Sequence, residues 1–177
     1  KDLAFMSSTL GLPTGEIDQW CRTLEMGCAS LRNPETKNFN AINLKSGEHT
    51  GHLTSASFLC WYAGMGDKSM LDLLKNTLQD TLYPIPSLDK NSSKFDGLRY
   101  WRGPTWPILN ALIGLGLSDM GHEKEAETIR SRTRELISRH GFAEYFDPIT
   151  GIPGGGKAFS WTAAVWLAWA SPSVGAK

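Results

Sequence analysis

Residues 141–157 read Gly141-Phe142-Ala143-Glu144-Tyr145-Phe146-Asp147-Pro148-Ile149-Thr150-Gly151-Ile152-Pro153-Gly154-Gly155-Gly156-Lys157. Gly and Pro recur too often for a helix, and Asp147-Pro148 beside Thr150-Gly151 is turn chemistry. The stretch is therefore a long loop. On its N-terminal side, Glu123 to His140 has the spacing of a charged amphipathic helix. On its C-terminal side, Phe159 to Ala170 is a mostly apolar helix.

Moving upstream, Thr105 to Met120 is a further helix, preceded by a second long loop from Tyr83 to Pro104 that is rich in Pro, Ser, Asp and Lys. Before that loop, Asp67 to Leu82 is helical with Met70, Leu71, Leu74 and Leu78 inward. His52 to Ala63 presents Leu53, Ala56, Leu59, Cys60 and Ala63 on one face until Gly64-Met65-Gly66 breaks it. At the N-terminal end, Asp2 to Leu10 is stopped by Gly11 and Pro13. Thr14 then caps a helix whose Ile17, Trp20, Cys21, Leu24, Cys28 and Leu31 recur at spacings of three and four, ending at Asn33-Pro34. Only residues 35–50 break the helical pattern: Phe39, Ala41, Ile42 and Leu44 alternate roughly ahead of Lys45-Ser46-Gly47-Glu48, which predicts a short extended segment or hairpin.

This predicts an all-α fold of about seven helices in which short and long connections alternate. A simple bundle does not need loops as long as 83–104 and 141–157, and loops of that length in a compact domain are usually functional. A two-layer toroid of helices, with short turns on one face and long loops converging on the axis of the other, produces this rhythm. No repeat of fixed period is visible, which argues against a solenoid.

Composition narrows the class. Across 177 residues, 41% are hydrophobic and 20% charged, and the formal net charge is zero, so the basic footprint of a nucleic-acid or anionic-membrane binder is absent. The most apolar stretch, Ala158 to Ala170, is too short to span a bilayer and carries Ser160 and Thr162. The three cysteines, Cys21, Cys28 and Cys60, are an odd number and read as small core residues. The sequon Asn91-Ser92-Ser93 does not establish secretion. Lys1-Asp2-Leu3 leads straight into a helical pattern without a signal peptide, as a chain cut from a longer one would. The chain carries seven Trp and 18 Gly, a combination that suits loops against a flat ligand such as a sugar ring, although counts alone favour Trp as core filling.

Two loop segments carry candidate chemistry. In the first, Tyr100-Trp101-Arg102-Gly103-Pro104-Thr105-Trp106-Pro107 packs aromatics and a guanidinium fork into a run pinned by Gly and two Pro. A sugar subsite fits these residues: the ring stacks and the guanidinium binds hydroxyls or a carboxylate. A structural corner with Arg102 in a buried ion pair fits equally. In the second, Glu144 lies between aromatics with no Lys or Arg before Lys157, and a carboxylate so placed has either a special partner or a job. Asp147 reads as a turn residue. Gly154-Gly155-Gly156 lacks the Lys-Ser/Thr of a phosphate loop. His49 and His52 lack further ligands for a metal. His122 and His140 read as solvent-facing caps, and the charged run from Glu123 to Arg139 as a solvated helix face.

Tyr100-Trp101-Arg102-Gly103-Pro104-Thr105-Trp106, Gly141-Phe142-Ala143-Glu144-Tyr145-Phe146-Asp147-Pro148-Ile149-Thr150-Gly151 and Phe159-Ser160-Trp161-Thr162-Ala163-Ala164 together resemble glycoside hydrolase family 63, in particular its mannosylglycerate and glucosylglycerate hydrolase relatives. The resemblance covers about residues 50–170 and is weaker before them. It implies an (α/α)6 barrel that hydrolyses an α-glycosidic bond with inversion. It also implies that Glu144 is the catalytic general base, that Tyr100, Trp101, Arg102, Trp106 and Trp161 are substrate-binding, and that no metal or organic cofactor is needed. The general-acid Asp of that family lies in a loop well upstream of the aromatic-Arg-Gly-Pro motif, and no matching segment precedes residue 50; Asp96 is the one nearby stand-in. A complete (α/α)6 barrel needs roughly twice this length. Residues 1–177 are therefore read as one partial catalytic domain, the C-terminal portion of the barrel, with the acid outside this chain and catalysis by the chain alone not expected. The implied partner is a carbohydrate: an α-glucoside, an α-mannoside or a glycerate conjugate. A half barrel exposes apolar faces, so self-association or a complementing N-terminal half is expected. The alternative is a non-catalytic carbohydrate-binding or helical interaction fragment of the same fold.

Overall fold

A computed structural model describes residues 2–173. The chain divides into two compact units, residues 1–51 and 52–177. In the first, α1 (Asp2–Thr9) ends where Gly11 takes a φ of 66°, and the amides of Gly11 and Leu12 return to the carbonyls of Ser8 and Ser7. The next helix, α2 (Gly15–Ser30), follows Thr14, whose hydroxyl donates to the Asp18 carboxylate at 2.9 Å instead of capping a backbone amide. The segment predicted as a hairpin forms two isolated bridges, Arg32 with Phe39 and Ile42 with His49. Asn33 and Asn43 drive its turns, their side-chain carbonyls accepting from amides two and three residues on.

The apolar stripe of α2 does not make a core within this unit. No α2 residue is buried, Trp20 is 51% exposed and Leu24 67%, and Cys21 and Cys28 are half-buried free thiols, not core residues. The periodicity reads correctly as an amphipathic helix, but the other helix of the unit, α1, has eight residues and cannot cover it.

The second unit holds the core. Its first turn, Ser55–Cys60, is 3₁₀ and not the longer α-helix expected from His52 to Ala63. Ser57 Oγ accepts from the Thr54 amide at 3.2 Å, and such serine back-bonding competes with regular helix. Then come α3 (Lys68–Asp80), α4 (Pro107–Asp119), α5 (Glu123–His140) and α6 (Ser160–Val165), the last running into a π-helical turn, Trp166–Ala170. Asp67 caps α3 by accepting from the Met70 amide at 3.0 Å, and Met70, Leu74 and Leu78 point inward as their spacing predicts.

Two glycines let α4 lie close to its neighbours. A Cβ at Gly114 would collide with the Trp169 ring, and one at Gly116 with the backbone at Trp61 and Tyr62. Backbone cannot swing aside as a side chain can. Gly116→Ala is therefore expected to destabilise the protein by about 1–3 kcal/mol in urea unfolding.

The charged helix α5 is more than a solvated face. Arg130 Nε donates to the Trp169 carbonyl and Arg134 Nε to the Ala170 carbonyl, both at 2.7 Å, and Arg132 reaches the carbonyls of Leu78 and Thr81. Three guanidinium groups of one helix thus satisfy the orphan carbonyls at two other helix ends. His122 and His140 are half-buried, not solvent-facing: His122 meets Trp61 edge-on at 5.0 Å, and His140 meets Tyr83 at 5.9 Å between ring centres.

A small sheet that the sequence pattern did not announce ties the two long loops together. The strand β1 (Tyr145–Phe146) pairs antiparallel with β2 (Pro153–Gly154), and on its other side Phe146 bridges Thr105, which in turn bridges Pro86. Thr105 and Phe146 exchange both backbone hydrogen bonds, at 2.8 and 3.0 Å.

Candidate active site

Each polar atom of Thr105, which is fully buried, has a structural task. Its hydroxyl donates to the Pro84 carbonyl and accepts from Asn110 Nδ2 at 3.1 Å. The same Asn110 amide group reaches Thr133 on α5 at 3.2 Å. Loop 83–104 is thereby anchored to α4 and α5 at the point where it meets β1. Phe146, also fully buried, packs with Tyr83, Leu136 and Ala143 on the inner side. From the other direction, Thr162 on α6 donates to the Ala143 carbonyl at 2.6 Å, and the Phe159 amide to the Phe142 carbonyl at 2.8 Å. Glu144 is therefore flanked by two buried, hydrogen-bonded residues, Ala143 and Phe146, which give it a packed base.

The carboxylate of Glu144 has defined partners. Its backbone amide donates to the Gly156 carbonyl at 2.9 Å, and the Gly156 amide returns to Oε2 at 3.2 Å. Tyr100 OH donates to Oε1 at 3.4 Å. Gly155, at a φ of 69°, lies so close that a Cβ there would overlap Oε2. The third glycine of the run thus serves the carboxylate directly, and the second makes room for it. Glu144 itself is half-buried, so one side of the carboxyl remains open.

Four aromatic rings gather beside it. Tyr100 meets Trp101, Trp106 and Tyr145 edge-on at 5.7, 5.0 and 5.7 Å, and Trp101 stacks on Trp106 at 4.2 Å with 8° between planes. Trp106 also meets Tyr145 at 5.1 Å. Trp106 is buried, with its indole N–H spent on the Tyr100 carbonyl at 3.1 Å, while Tyr100 and Trp101 are half exposed. The inner Trp is thus the bed, and the outer two rings are the reachable surface. Desolvation, and then the charge and hydrogen bond of Glu144, raise the Tyr100 phenol above its ordinary value, with Tyr145 adding in the same direction. The phenol therefore stays protonated and remains a donor to the carboxylate. Beside Trp101, a cleft of about 320 Å³ is lined by Thr54, Ser55, Ala56, Leu59, Ser87 and Leu109.

The remaining sequence-derived candidates divide. Arg102 is exposed, its Nε–H donates to the Lys94 carbonyl at 3.2 Å, and no carboxylate pairs with it among the described residues; the buried ion pair is not there. Trp161 is 53% exposed on α6, with Phe159 as its ring neighbour at 5.7 Å, and no ring contact joins it to the Tyr100 cluster among the described residues. Asp147 is a turn residue: Oδ1 accepts from the amides of Ile149 and Thr150 at 2.7 and 2.9 Å. Asp96 is exposed and likewise caps a turn, accepting from the Leu98 amide at 3.2 Å. Among the described residues no group of three His, Cys, Asp or Glu side chains could hold a metal ion. The sequence pattern missed Gly155, Gly156, Thr105 and Thr162 as the supports of Glu144. The glycine run reads in sequence as a segment without the Lys-Ser/Thr of a phosphate loop, whereas in the structure it approaches the Glu144 carboxylate.

Comparison with known proteins bears on what this arrangement belongs to. Residues 1–162 match the family model described as the mannosylglycerate hydrolase MGH1-like glycoside hydrolase domain. The chain is 34% identical over 175 residues to mannosylglycerate hydrolase MGH1 of Selaginella moellendorffii, covering 96% of this chain and 36% of that protein. It is 34% identical over 173 residues to the mannosylglycerate hydrolase of Thermus thermophilus, covering 96% of this chain and 42% of that protein. A crystal structure of a GH63 mannosylglycerate hydrolase from Thermus thermophilus, in complex with Tris and D-glycerate, superposes with a TM-score of 0.86 at 34% identity, over 94% of this chain and 42% of that one. The chain thus spans about two fifths of the length of these relatives. With the match running through both loops that build the Glu144 site, the chain belongs to the mannosylglycerate hydrolase MGH1-like family of glycoside hydrolases.

Proposed function

We propose that this chain forms the base-bearing part of an inverting α-glycoside hydrolase built on an (α/α)6 toroid, acting on an α-mannoside or α-glucoside of glycerate. The observation that carries the reading is the Glu144 carboxylate, held at one oxygen by the Gly156 amide and at the other by Tyr100, beside half-exposed aromatic rings. A half-buried carboxylate aimed by neutral donors suits a general base that takes a proton from water. Water then attacks the anomeric carbon as the glycosidic C–O bond breaks, and an Asp outside this chain protonates the leaving oxygen. An inverting pair stands about 6.5–9.5 Å apart to leave room for that water. Tyr100 and Trp101 offer the sugar its aromatic surface over the Trp106 bed, Trp161 adds a second wall, and Arg102 supplies a cation for the glycerate carboxylate. The apolar residues that α1 and α2 leave exposed, such as Phe5, Met6, Trp20 and Leu24, give the remainder of the toroid or a second copy a surface to cover.

The test is proton NMR of the first sugar released by the full-length protein from α-mannosylglycerate and from α-glucosylglycerate. The β-anomer appearing first supports the reading. The α-anomer first, or no release from either substrate, contradicts it.

A further inference from the structure

The backbone of Tyr100 is unusual in a way that substrate stacking does not explain. Its φ is 43°, one of two positive values among the described non-glycine residues. A left-handed conformation costs a residue with a Cβ roughly 1–2 kcal/mol and persists only where the surroundings enforce it. Here they do: the buried Trp106 holds the Tyr100 carbonyl through its indole N–H at 3.1 Å, and the following Arg102 amide closes a turn onto the Arg99 carbonyl at 2.8 Å. The next turn is closed just as firmly, the Asp96 amide donating to the Arg102 carbonyl at 2.8 Å. Three rings, Trp101, Trp106 and Tyr145, stand edge-on to the phenol ring and fix its rotation. The outcome of this strain is a single polar contact, Tyr100 OH to Glu144 Oε1.

We infer that Tyr100 is a positioning residue for Glu144: its phenol and the Gly156 amide take one carboxylate oxygen each and so fix which lone pair of the base faces the attacking water. The inference rests on the reading of Glu144 as the general base. It adds that the phenol acts through the base rather than through the sugar. An isolated carboxylate rotates about its last bond, and each wrong orientation removes the base from line with the water. Two donors on opposite oxygens stop that rotation at no cost in reorganisation during the reaction. The titratable groups that act on the phenol are Glu144 and Tyr145, both from the segment carrying β1. Raised in this way, the phenol stays protonated and faces the carboxylate as a donor.

Tyr100→Phe separates this from a stacking role, because it keeps the ring and the aromatic cluster and removes only the hydroxyl. In the full-length protein, kcat is expected to fall by about ten- to a hundredfold. KM stays within about threefold, since uniform substrate binding is untouched. Tyr100→Phe made in a Glu144→Gln background costs nothing further, as expected of residues that act as one unit. If Tyr100→Phe raises KM alone and costs the same factor in both backgrounds, the phenol serves substrate and the inference is overturned. If Glu144→Gln by itself leaves turnover intact, the base reading falls, and this inference with it.

Discussion

Glu144→Gln in the full-length protein is expected to lower kcat by about 10²–10⁴-fold with KM little changed, the range that removal of a general base commands. The substitution is close to isosteric. The Gln side-chain carbonyl can still accept from the Gly156 amide, and its amide nitrogen can donate to the Tyr100 oxygen, so the hydrogen bonds that fix the side chain survive in number. What disappears is the ability to take a proton. Because the residue sits on a segment secured by Thr105, Thr162 and the Phe146 core contacts, the unfolding midpoint should move little, and loss of activity cannot be assigned to loss of fold. Steady-state kinetics alongside thermal unfolding check both halves of this expectation.

Gly155→Ala is expected to be nearly as damaging without removing any functional group. The new methyl would occupy the space of Glu144 Oε2, and the residue would have to hold a φ of 69° with a Cβ present. The carboxylate must swing away from the Gly156 amide. A displacement of about 1 Å in a reacting group costs on the order of 10²-fold in rate, and the expected fall in kcat is of that order. Gly121→Ala is the control. Gly121, in the turn between α4 and α5, has a φ of 82° and open space where its Cβ would go. It carries a comparable backbone cost of about 1 kcal/mol without touching the site. Both variants should lose similar stability, and only Gly155→Ala should lose activity.

Sequence and structure agree where the signal is local and diverge where it is not. The spacing of Met70, Leu74 and Leu78, and the charged periodicity of Glu123 to His140, are properties of single helices, and both helices formed close to the expected bounds. Turn chemistry was equally legible, as the Asx turn at Asp147 shows. The 3₁₀ turn at Ser55–Cys60 escaped because its apolar pattern fits an α-helix and only the hydroxyls of Thr54 and Ser57 say otherwise. The inward face of α2 was misplaced because amphipathicity shows that a face is apolar and not what will cover it. The small sheet escaped because its members, Pro86, Thr105, Phe146 and Pro153, come from distant parts of the chain and are too short to alternate. The same holds at the site. Glu144 could be singled out by its aromatic neighbours, but its partners lie 44 residues before it and 12 after. Arg130, Arg132 and Arg134 read as solvated charges until the carbonyls they cap are placed beside them.

The central claim is that Glu144 activates the nucleophile on the open face of the sugar, and the most direct test removes its carboxylate and offers a substitute. Glu144→Ala in the full-length protein, given an α-mannosyl or α-glucosyl substrate and sodium azide, should regain turnover as azide enters the vacated space and attacks the anomeric carbon without needing a base. The product should be the β-glycosyl azide, seen by NMR and mass spectrometry, with the aglycone released in equal amount. Hydrolysis by Glu144→Ala at the rate of the unsubstituted protein, with no glycosyl azide formed, would show that the base lies elsewhere.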